Sequence, residues 1–215
     1  FAMHGVRTAA LRGIDLSVRS GECLAIRTED RALLDGLRQL ASGETPLLSG
    51  QVLLDGCPVR KPLGLDGRVA YIAENPSESM LFPDMSYLRN LTFRIPGSTG
   101  AWWRRKALHR SLKSELADQL GPVFEKRIDE LTVREQYSLV FQRILLQRPR
   151  VLFCEQPFWG NDMLLRQHVV EQLRRQLERG CSVVVLIVGM YDGFPLANRT
   201  MIYREGRLIV QSDRG

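Results

Sequence analysis

The chain has 215 residues, of which 44% are hydrophobic, and this composition is typical of a folded domain with a substantial core. The formal net charge is +6, but basic and acidic residues alternate along the chain, which argues against a nucleic-acid-binding protein. The longest apolar run, Val183–Val188, is far shorter than the ~20 residues of a membrane-spanning helix.

The four cysteines are isolated in the sequence, and three of them lie inside or beside apolar runs. This pattern predicts free thiols in a reducing cytoplasm, with neither disulfides nor a metal site. No charged-then-apolar stretch opens the sequence, and from it we expect no secretory leader in this segment. It begins at Phe1, and we expect it to be part of a longer protein.

The first third of the chain predicts strands around one helix. Apolar alternation favours a strand over Leu11–Val18, and the apolar run Cys23–Ile26 after Gly21 favours a second strand. Leucines at helical spacing predict a helix in "RALLDGLRQLA", residues 31–41. Two further strands are predicted in "SGQVLLDG", residues 49–56, and in "RVAYIAE", residues 68–74.

From Ser86 to about Leu131 the pattern becomes helical and more charged, with a break at residues 97–100, as in a peripheral helical subdomain. The later predicted elements are a helix over 134–147, a strand over 151–154, a helix over 164–177, a strand over 182–188 and a hairpin at 205–206. Helices alternating with strands predict an α/β fold with a mostly parallel sheet flanked by helices, preceded by antiparallel strands.

The order of these landmarks resembles the nucleotide-binding cassette of ABC transporters over nearly the whole chain. "LRGIDLSVRSGE" resembles the strand and turn before the phosphate loop, and "LTVREQYSLVFQRILLQRPRVLFCEQP" resembles the signature helix and the strand after it. The resemblance implies a single P-loop NTPase-like domain over 1–215. Its core would comprise 1–77 and 131–215, and its helical subdomain about 78–130.

One segment points to a particular subfamily of these cassettes. "IAENPSESMLFPDMSYLRNLTF" is similar to the second cassette of ribose- and galactose-type sugar importers, in which a Glu replaces the usual Gln. That Glu corresponds to Glu74, and a following Asn corresponds to Asn90. "PFWGND", residues 157–162, resembles the Pro-Thr-x-Gly-x-Asp of the same subfamily.

The residues expected to bind phosphate are degenerate. A phosphate loop needs glycines, a Lys for the β and γ phosphates, and a Ser or Thr for Mg²⁺. In the ungapped register this loop is "TEDRALLD". Thr28, Arg31 and Leu33 take the glycine positions, Leu34 the Lys position and Asp35 the Ser/Thr position. The alternative without a binding role is that Leu33 and Leu34 lie on the buried face of a helix and pack against the core.

The residues expected to perform hydrolysis also differ from the family pattern. Glu155 takes the place of the Asp that holds Mg²⁺, and Gln156 takes the place of the Glu that polarises the attacking water. Gln can orient water but cannot accept its proton. Val188 takes the place of the His that contacts the γ-phosphate. We therefore expect no catalytic residue, no metal and no cofactor, with ATP and Mg²⁺ binding only if the altered site retains affinity.

The signature of the family closes over ATP that is bound to the opposite cassette of a dimer. Here it is "LTVRE": Thr132 keeps a hydroxyl, but Val133 and Arg134 replace two glycines. In a dimer with an intact cassette, each ATP site would combine the phosphate loop of one chain with the signature of the other. This chain would therefore leave both sites incomplete.

Two family features survive, each with an ordinary alternative. Asp162 matches the Asp of the loop at the dimer interface, and it also fits a helix cap. His4 lies near the position of the aromatic that stacks on adenine, and it also fits a surface histidine. "WWRRK", residues 102–106, fits subdomain packing with a solvated basic face, or contact with a membrane, a nucleic acid or a partner protein.

The resemblance implies a hydrolysis-deficient cassette, weak or null in ATP binding, that forms a structural or regulatory half of a homo- or heterodimer. It would be cytoplasmic, at the inner face of the membrane, where the helical subdomain contacts a permease. A cassette fold redeployed as a sensory or regulatory domain outside transport is the alternative, and an ATPase with rearranged residues is the third.

Overall fold

The computed structural model describes residues 1–59, 62–63, 67–93, 102–115, 123–158, 160–189 and 193–211, without the side chains of 102–105 and 115. The chain divides into two compact units. The first comprises Phe1–Glu74 and Arg148–Gly215, and the second comprises Asn75–Gln147. The subdomain predicted from the sequence, about 78–130, is narrower than the second unit, which also contains the helix that ends at Gln147.

The first unit contains a six-stranded sheet in the order β10-β9-β3-β8-β7-β6 among the described residues. Its central pairs are parallel, and only β9 and β10 pair in antiparallel fashion. The strands are β3 (Cys23–Thr28), β6 (Val69–Ile72), β7 (Val151–Glu155), β8 (Ser182–Val188), β9 (Arg199–Arg204) and β10 (Arg207–Val210).

A second, antiparallel sheet of the same unit has the order β2-β1-β4-β5 among the described residues. Its strands are β1 (Ala2–Arg7), β2 (Arg12–Ser17), β4 (Ser49–Leu54) and β5 (Cys57–Pro58). The mostly parallel sheet, the antiparallel strands and the flanking helices confirm the predicted fold class.

Helix α1 (Arg31–Ser42) connects the two sheets of the first unit in sequence, and it is amphipathic. Leu33, Leu34 and Leu37 are each 1% exposed and belong to the same apolar core as Leu24 of β3. Gly36 permits close packing, because a Cβ there would lie 2.6 Å from Leu11 Cδ2. The spacing of apolar residues therefore determines which face of α1 is buried.

The second unit consists of helices, among its described residues. They are α2 (Pro76–Ser79), α3 (Tyr87–Leu91), α4 (Trp102–Glu115), a 3₁₀ turn (Ile128–Glu130) and α5 (Val133–Gln147). Asn90 is fully buried, and its side chain accepts from Phe82 N–H at 2.8 Å and donates to Phe82 O at 3.0 Å. Helix α6 (Met163–Glu178) belongs to the first unit.

None of the described helices is both long and apolar enough to cross a bilayer. All four cysteines are free, and Cys23, Cys154 and Cys181 are buried. Burial raises the pKa of Cys23 to about 12, with a further contribution from Glu22. These buried thiols are poor nucleophiles.

Candidate functional site

The turn between β3 and α1 is much shorter than the predicted phosphate loop. Strand β3 ends at Thr28 and α1 begins at Arg31, so only Glu29 and Asp30 connect them. The positions predicted for loop glycines, lysine and serine lie instead at the end of the strand or within the helix. Leu34, at the Lys position, points into the core, where it is 1% exposed.

Three backbone N–H groups at this turn and at the start of α1 have acceptors within the chain. Asp30 N–H donates to Thr28 Oγ1 at 2.9 Å, Ala32 N–H donates to Asp30 Oδ1 at 2.8 Å, and Leu33 N–H donates to Asp30 O at 3.3 Å. Asp30 is therefore the N-cap of α1. Its carboxylate lies where the partial positive charge of a helix start would otherwise attract an external anion.

The start of α1 carries negative charge where the family pattern has the phosphate loop. A phosphate group at the start of α1 would compete with Asp30 for the same N–H groups and would meet like charge there. Glu29 adds a second exposed carboxylate beside it. The lysine ammonium and the magnesium-binding hydroxyl of the family pattern are replaced by Leu34 and by Asp35.

Glu155 is half-buried at the carboxyl end of β7. Tyr71 of the neighbouring strand β6 donates its O–H to Glu155 Oε2 at 2.8 Å. Burial raises the pKa of Glu155, the Tyr71 hydrogen bond opposes this rise, and the nearby carboxylates of Glu74 and Asp35 add to it. Its surroundings therefore disfavour the ionised form that a metal ligand needs.

Glu74, singled out from the sequence, forms an exposed ion pair with Arg31, whose Nη1 lies 3.5 Å from Glu74 Oε2. Asp35 likewise faces Arg38 at 3.9 Å. Within the described ranges, no group of three or more His, Cys, Asp or Glu side chains is arranged to hold a metal ion. The carboxylates of Glu74 and Asp35 are thus each paired with an arginine of the same chain.

Gln156 is turned toward the end of β8. It has a φ of 44° and is buried, its N–H donates to Leu186 O at 2.8 Å, and its Oε1 accepts from Val188 N–H at 3.0 Å. The amide of Gln156 therefore stabilises the junction of β7 and β8. Val188 contributes only its backbone N–H here, and Gly189 N–H donates to Thr28 O at 3.0 Å.

The signature segment begins α5 in the second unit with reciprocal capping. Glu135 Oε2 accepts from Thr132 N–H at 2.7 Å and from the Thr132 hydroxyl at 2.9 Å, and Glu135 N–H donates to Thr132 Oγ1 at 3.3 Å. The backbone hydrogen bond from Thr132 is the main reason why the pKa of Glu135 is lowered. A carboxylate thus occupies this helix start as well.

The two surviving family features take ordinary structural places. Asp162 Oδ1 accepts from Leu165 N–H at 2.7 Å, which makes Asp162 the N-cap of α6. Met163 and Leu164 follow it and are 74% and 73% exposed. His4 is exposed on β1 opposite Gln51.

The "WWRRK" segment begins α4, but the side chains of residues 102–105 lie outside the described part of the chain. Within this segment the structure describes the side chain of Lys106, which is exposed.

The structural roles of Asp30, Tyr71 and Glu135 were not predicted from the sequence. "TVRE", residues 132–135, carries the Thr-x-x-Glu spacing of a capping box, and Asp30 directly precedes a leucine-rich helical pattern. Both signals were present in the sequence. Tyr71 carried no such signal, because its partner lies 84 residues away.

No family model matches the chain. Its similarity to the ribose import ATP-binding protein RbsA 2 of Escherichia coli O157:H7 is 26% identity over 202 residues, which covers 93% of the chain and 40% of that protein. The chain thus spans about two fifths of the length of the first curated relatives that it matches.

Two solved structures share the fold. One is cbiO1 from Clostridium perfringens, part of the ABC transporter complex cbiONQ, with a TM-score of 0.74, 18% identity and coverage of 97% of this chain and 86% of that one. The other is the dimeric ATP-binding cassette MJ0796 bound to ADP and Pi, with a TM-score of 0.68, 18% identity and coverage of 100% and 99%.

Proposed function

The chain has the fold of an ABC transporter ATP-binding cassette, and from that premise we propose that it is a cassette that has lost ATP hydrolysis and tight ATP binding. In this proposal it serves as the structural or regulatory half of a cassette dimer in a sugar-importer-like assembly. Its contribution is a folded surface for partners, while any nucleotide chemistry belongs to another subunit.

The observation that carries this proposal is the Asp30 cap on a two-residue turn. Asp30 accepts from Ala32 N–H through its side chain and from Leu33 N–H through its carbonyl oxygen. A cradle for phosphate needs those N–H groups to be directed at a ligand, within a loop several residues longer. Making such a loop here would require unwinding the start of α1.

The signature segment supports the same proposal from the other side of a cassette dimer. In the family pattern this helix start faces ATP on the opposite cassette, and here Glu135 takes the N–H of Thr132. A γ-phosphate approaching α5 would meet a carboxylate whose lowered pKa keeps it ionised. An intact partner would therefore gain no working signature from this chain.

The hydrolytic positions agree with the loss of activity. Gln156 has no carboxylate to accept a proton from water, and its Oε1 already accepts from Val188 N–H. Glu155 shares its Oε2 with the Tyr71 hydroxyl. Each side chain thus has one oxygen engaged in a hydrogen bond within the chain.

Partners are proposed from the relatives. One relative is named as a ribose import protein, and one structural neighbour is part of a transporter complex. A place at the cytoplasmic face of the membrane, with the second unit toward a permease, follows from that likeness. The exposed Met163 and Leu164 beside Asp162 offer apolar surface for a second cassette.

The test of lost nucleotide function is calorimetric titration with ATP and Mg²⁺, together with an assay of phosphate release. We expect no binding in the micromolar range and no turnover. The E. coli O157:H7 ribose import ATP-binding protein serves as the control under the same conditions. Micromolar binding, with turnover that Glu155→Ala abolishes, would overturn the proposal.

The dimer is tested by sedimentation of the chain alone and after coexpression with a cassette that is encoded beside it. We expect association that Met163→Glu/Leu164→Glu weakens. The matched control is Ile209→Glu/Val210→Glu, which changes another exposed apolar pair on β10. A monomer in both samples would contradict the cassette-dimer proposal.

A second candidate is a cassette fold that regulates a process outside transport. It is favoured by the carboxylate caps at both Asp30 and Glu135. A cassette dimer that keeps one working ATP site needs this chain to retain either its phosphate loop or its signature, and here both positions carry a carboxylate. Copurification with a membrane permease from the native membrane favours the transport assembly. A full-length chain that also contains a DNA-binding or signalling domain favours the regulatory candidate.

A further inference from the structure

We propose that the second unit contains an anion-binding groove that takes a ligand with clustered phosphate groups. The groove lies between α3 and α4 and has a volume of about 600 Å³. This is within the range of small-ligand sites, roughly 300–1,000 Å³. All of its lining residues belong to the second unit, and none is a position that the family pattern assigns to nucleotide.

The charge of the groove is strongly positive. Arg89 comes from α3, and Lys106, Arg110 and Lys113 come from α4. Glu125 is the acidic residue that lines it, so four positive charges face one negative charge and leave a formal charge of +3. Glu125 is paired with Lys113, so this carboxylate is already engaged by another cation of the groove.

Helical geometry explains why the cations of α4 point the same way. Lys106, Arg110 and Lys113 are separated by four and three residues, so they lie on one face of the helix. The opposite face is buried through Leu112, which is 4% exposed. Like charges at this spacing destabilise an isolated helix, by about 0.2–0.5 kcal/mol per pair. This arrangement is consistent with a bound counter-anion.

The two arginines determine the chemistry that we infer. Arg89 and Arg110 are exposed and form no ion pair within the described part of the unit. Guanidinium groups bind phosphate oxygens in a bidentate manner, more specifically than ammonium groups do. His109 lines the same groove, and its Nε2 lies 3.0 Å from Thr92 Oγ1.

A phosphate ligand fits this groove better than an acidic peptide does. Each phosphate monoester brings about −1.5 to −2 charges at neutral pH, whereas a peptide carboxylate brings one. The guanidinium groups of Arg89 and Arg110 in one groove therefore match two adjacent phosphate groups. The phosphates could belong to a soluble polyphosphate or to lipid headgroups, and the chemistry at the groove is the same.

The experiment titrates sodium tripolyphosphate into the full chain. Calorimetry at low and at physiological salt measures the binding. We expect binding that weakens as salt rises, because the contacts are charge pairs near the surface. The variant Arg89→Gln/Arg110→Gln should bind about tenfold more weakly or worse. The control Arg174→Gln/Arg179→Gln removes the same charge from exposed positions of or beside α6 and should bind as the wild type does.

A second arm uses vesicles of phosphatidylcholine with and without phosphatidic acid, whose headgroup is a phosphate monoester. The proposal is supported if tripolyphosphate or the anionic vesicles bind, and if this binding is lost in the Arg89/Arg110 variant and retained in the control. The probe that binds then identifies whether the phosphate is soluble or part of a lipid. Binding of neither probe, or loss that is equal in the two variants, overturns the proposal. Poly-glutamate that binds as tightly as tripolyphosphate would overturn the assignment to phosphate.

This groove is distinguishable from the family nucleotide position. Any binding of ATP through its phosphates at the groove should disappear in Arg89→Gln/Arg110→Gln and persist in Glu155→Ala. Binding that shows the reverse pattern belongs to the cassette site and contradicts the proposed loss of nucleotide function.

Discussion

Tyr71 donates its hydroxyl proton to Glu155 Oε2 at 2.8 Å across two neighbouring parallel strands, β6 and β7. This pair lies where the family pattern has a magnesium-binding carboxylate. The Tyr71 hydrogen bond favours ionisation of Glu155, but burial opposes it more strongly, and the pKa of this carboxyl is raised. This has consequences for the pH dependence of stability.

Glu155→Gln should gain stability over the wild type as pH rises. Burial raises the folded-state pKa of Glu155 above its ordinary value of 4.5. The protonated carboxyl therefore contributes stability below that ordinary pKa, and the contribution is lost as pH rises through the higher folded-state pKa. The Gln variant keeps an acceptor for Tyr71 and carries no charge. Chemical denaturation of both proteins from below pH 4.5 to neutral pH measures the difference in their free energies of unfolding.

The control for this prediction is Glu178→Gln, which changes an exposed carboxylate at the end of α6. Its difference from the wild type should vary little over the same range. A Glu155→Gln difference that is flat with pH, or that falls as pH rises, contradicts the stated environment of Glu155.

Asp30→Ala should lower the free energy of unfolding by about 1 kcal/mol, because it removes the acceptor for Ala32 N–H at the start of α1. Asp162→Ala should cost a similar amount, since Asp162 caps α6 in the same way. Thermal or urea unfolding measures both. The matched change Asp30→Asn keeps a capping oxygen and should cost less; equal losses for Ala and Asn would mean that charge, and not capping, is what Asp30 supplies.

Leu34→Lys should restore the lysine of the family pattern without restoring ATPase activity. Position 34 is 1% exposed in the core, so the charged side chain should cost at least about 3 kcal/mol, the scale of deleting a buried leucine. Leu34→Met preserves volume and should cost less than about 1.5 kcal/mol. Urea denaturation and phosphate release are the measurements. A stable Lys variant that binds ATP would show that this segment can open into a loop.

Glu135→Gln should destabilise the protein at neutral pH by about 0.5 kcal/mol, after allowance for solvent screening. Hydrogen bonds from Thr132 lower the folded-state pKa of Glu135 below 4.5. Its stabilisation is therefore present above pH 4.5 and is lost as pH falls through the lower folded-state pKa. Denaturant unfolding at neutral and acidic pH measures the difference, which should shrink at acidic pH. Thr132→Ala removes the hydroxyl and the γ-methyl group but keeps the backbone N–H that donates to Glu135. Its difference from the wild type in the free energy of unfolding should therefore vary less with pH.

The elements with a clear apolar period were predictable, and those that depend on distant contacts were not. Leucine spacing predicted α1 from Arg31, and the valine-rich run predicted β8. Strand β1 was missed, because "AMHGVR" has no clean alternation and its Gly5 has a φ of 55°. Such a strand is recognisable only through its pairing with β2 and β4.

The candidate site shows the same division. The residue types at positions 28–35 could be read directly from the sequence as unsuited to phosphate. Two interpretations then competed for Leu33 and Leu34, a loop in the family register and a helix in the apolar period. The structure has the helix, because burying two leucines outweighs any local preference for an open turn. The Tyr71–Glu155 pair needs the register of β6 against β7, which no local pattern contains.

The two-residue turn before α1 also bears on descent. An open cradle would need chain that is now committed to the first turn of the helix, and releasing it would expose Leu33 and Leu34 to water. Each single substitution toward that cradle therefore costs stability before any ligand can compensate. If, as proposed, the chain descends from a cassette with an open phosphate loop, insertion of residues into this turn would restore the loop at a smaller cost in stability than successive single substitutions.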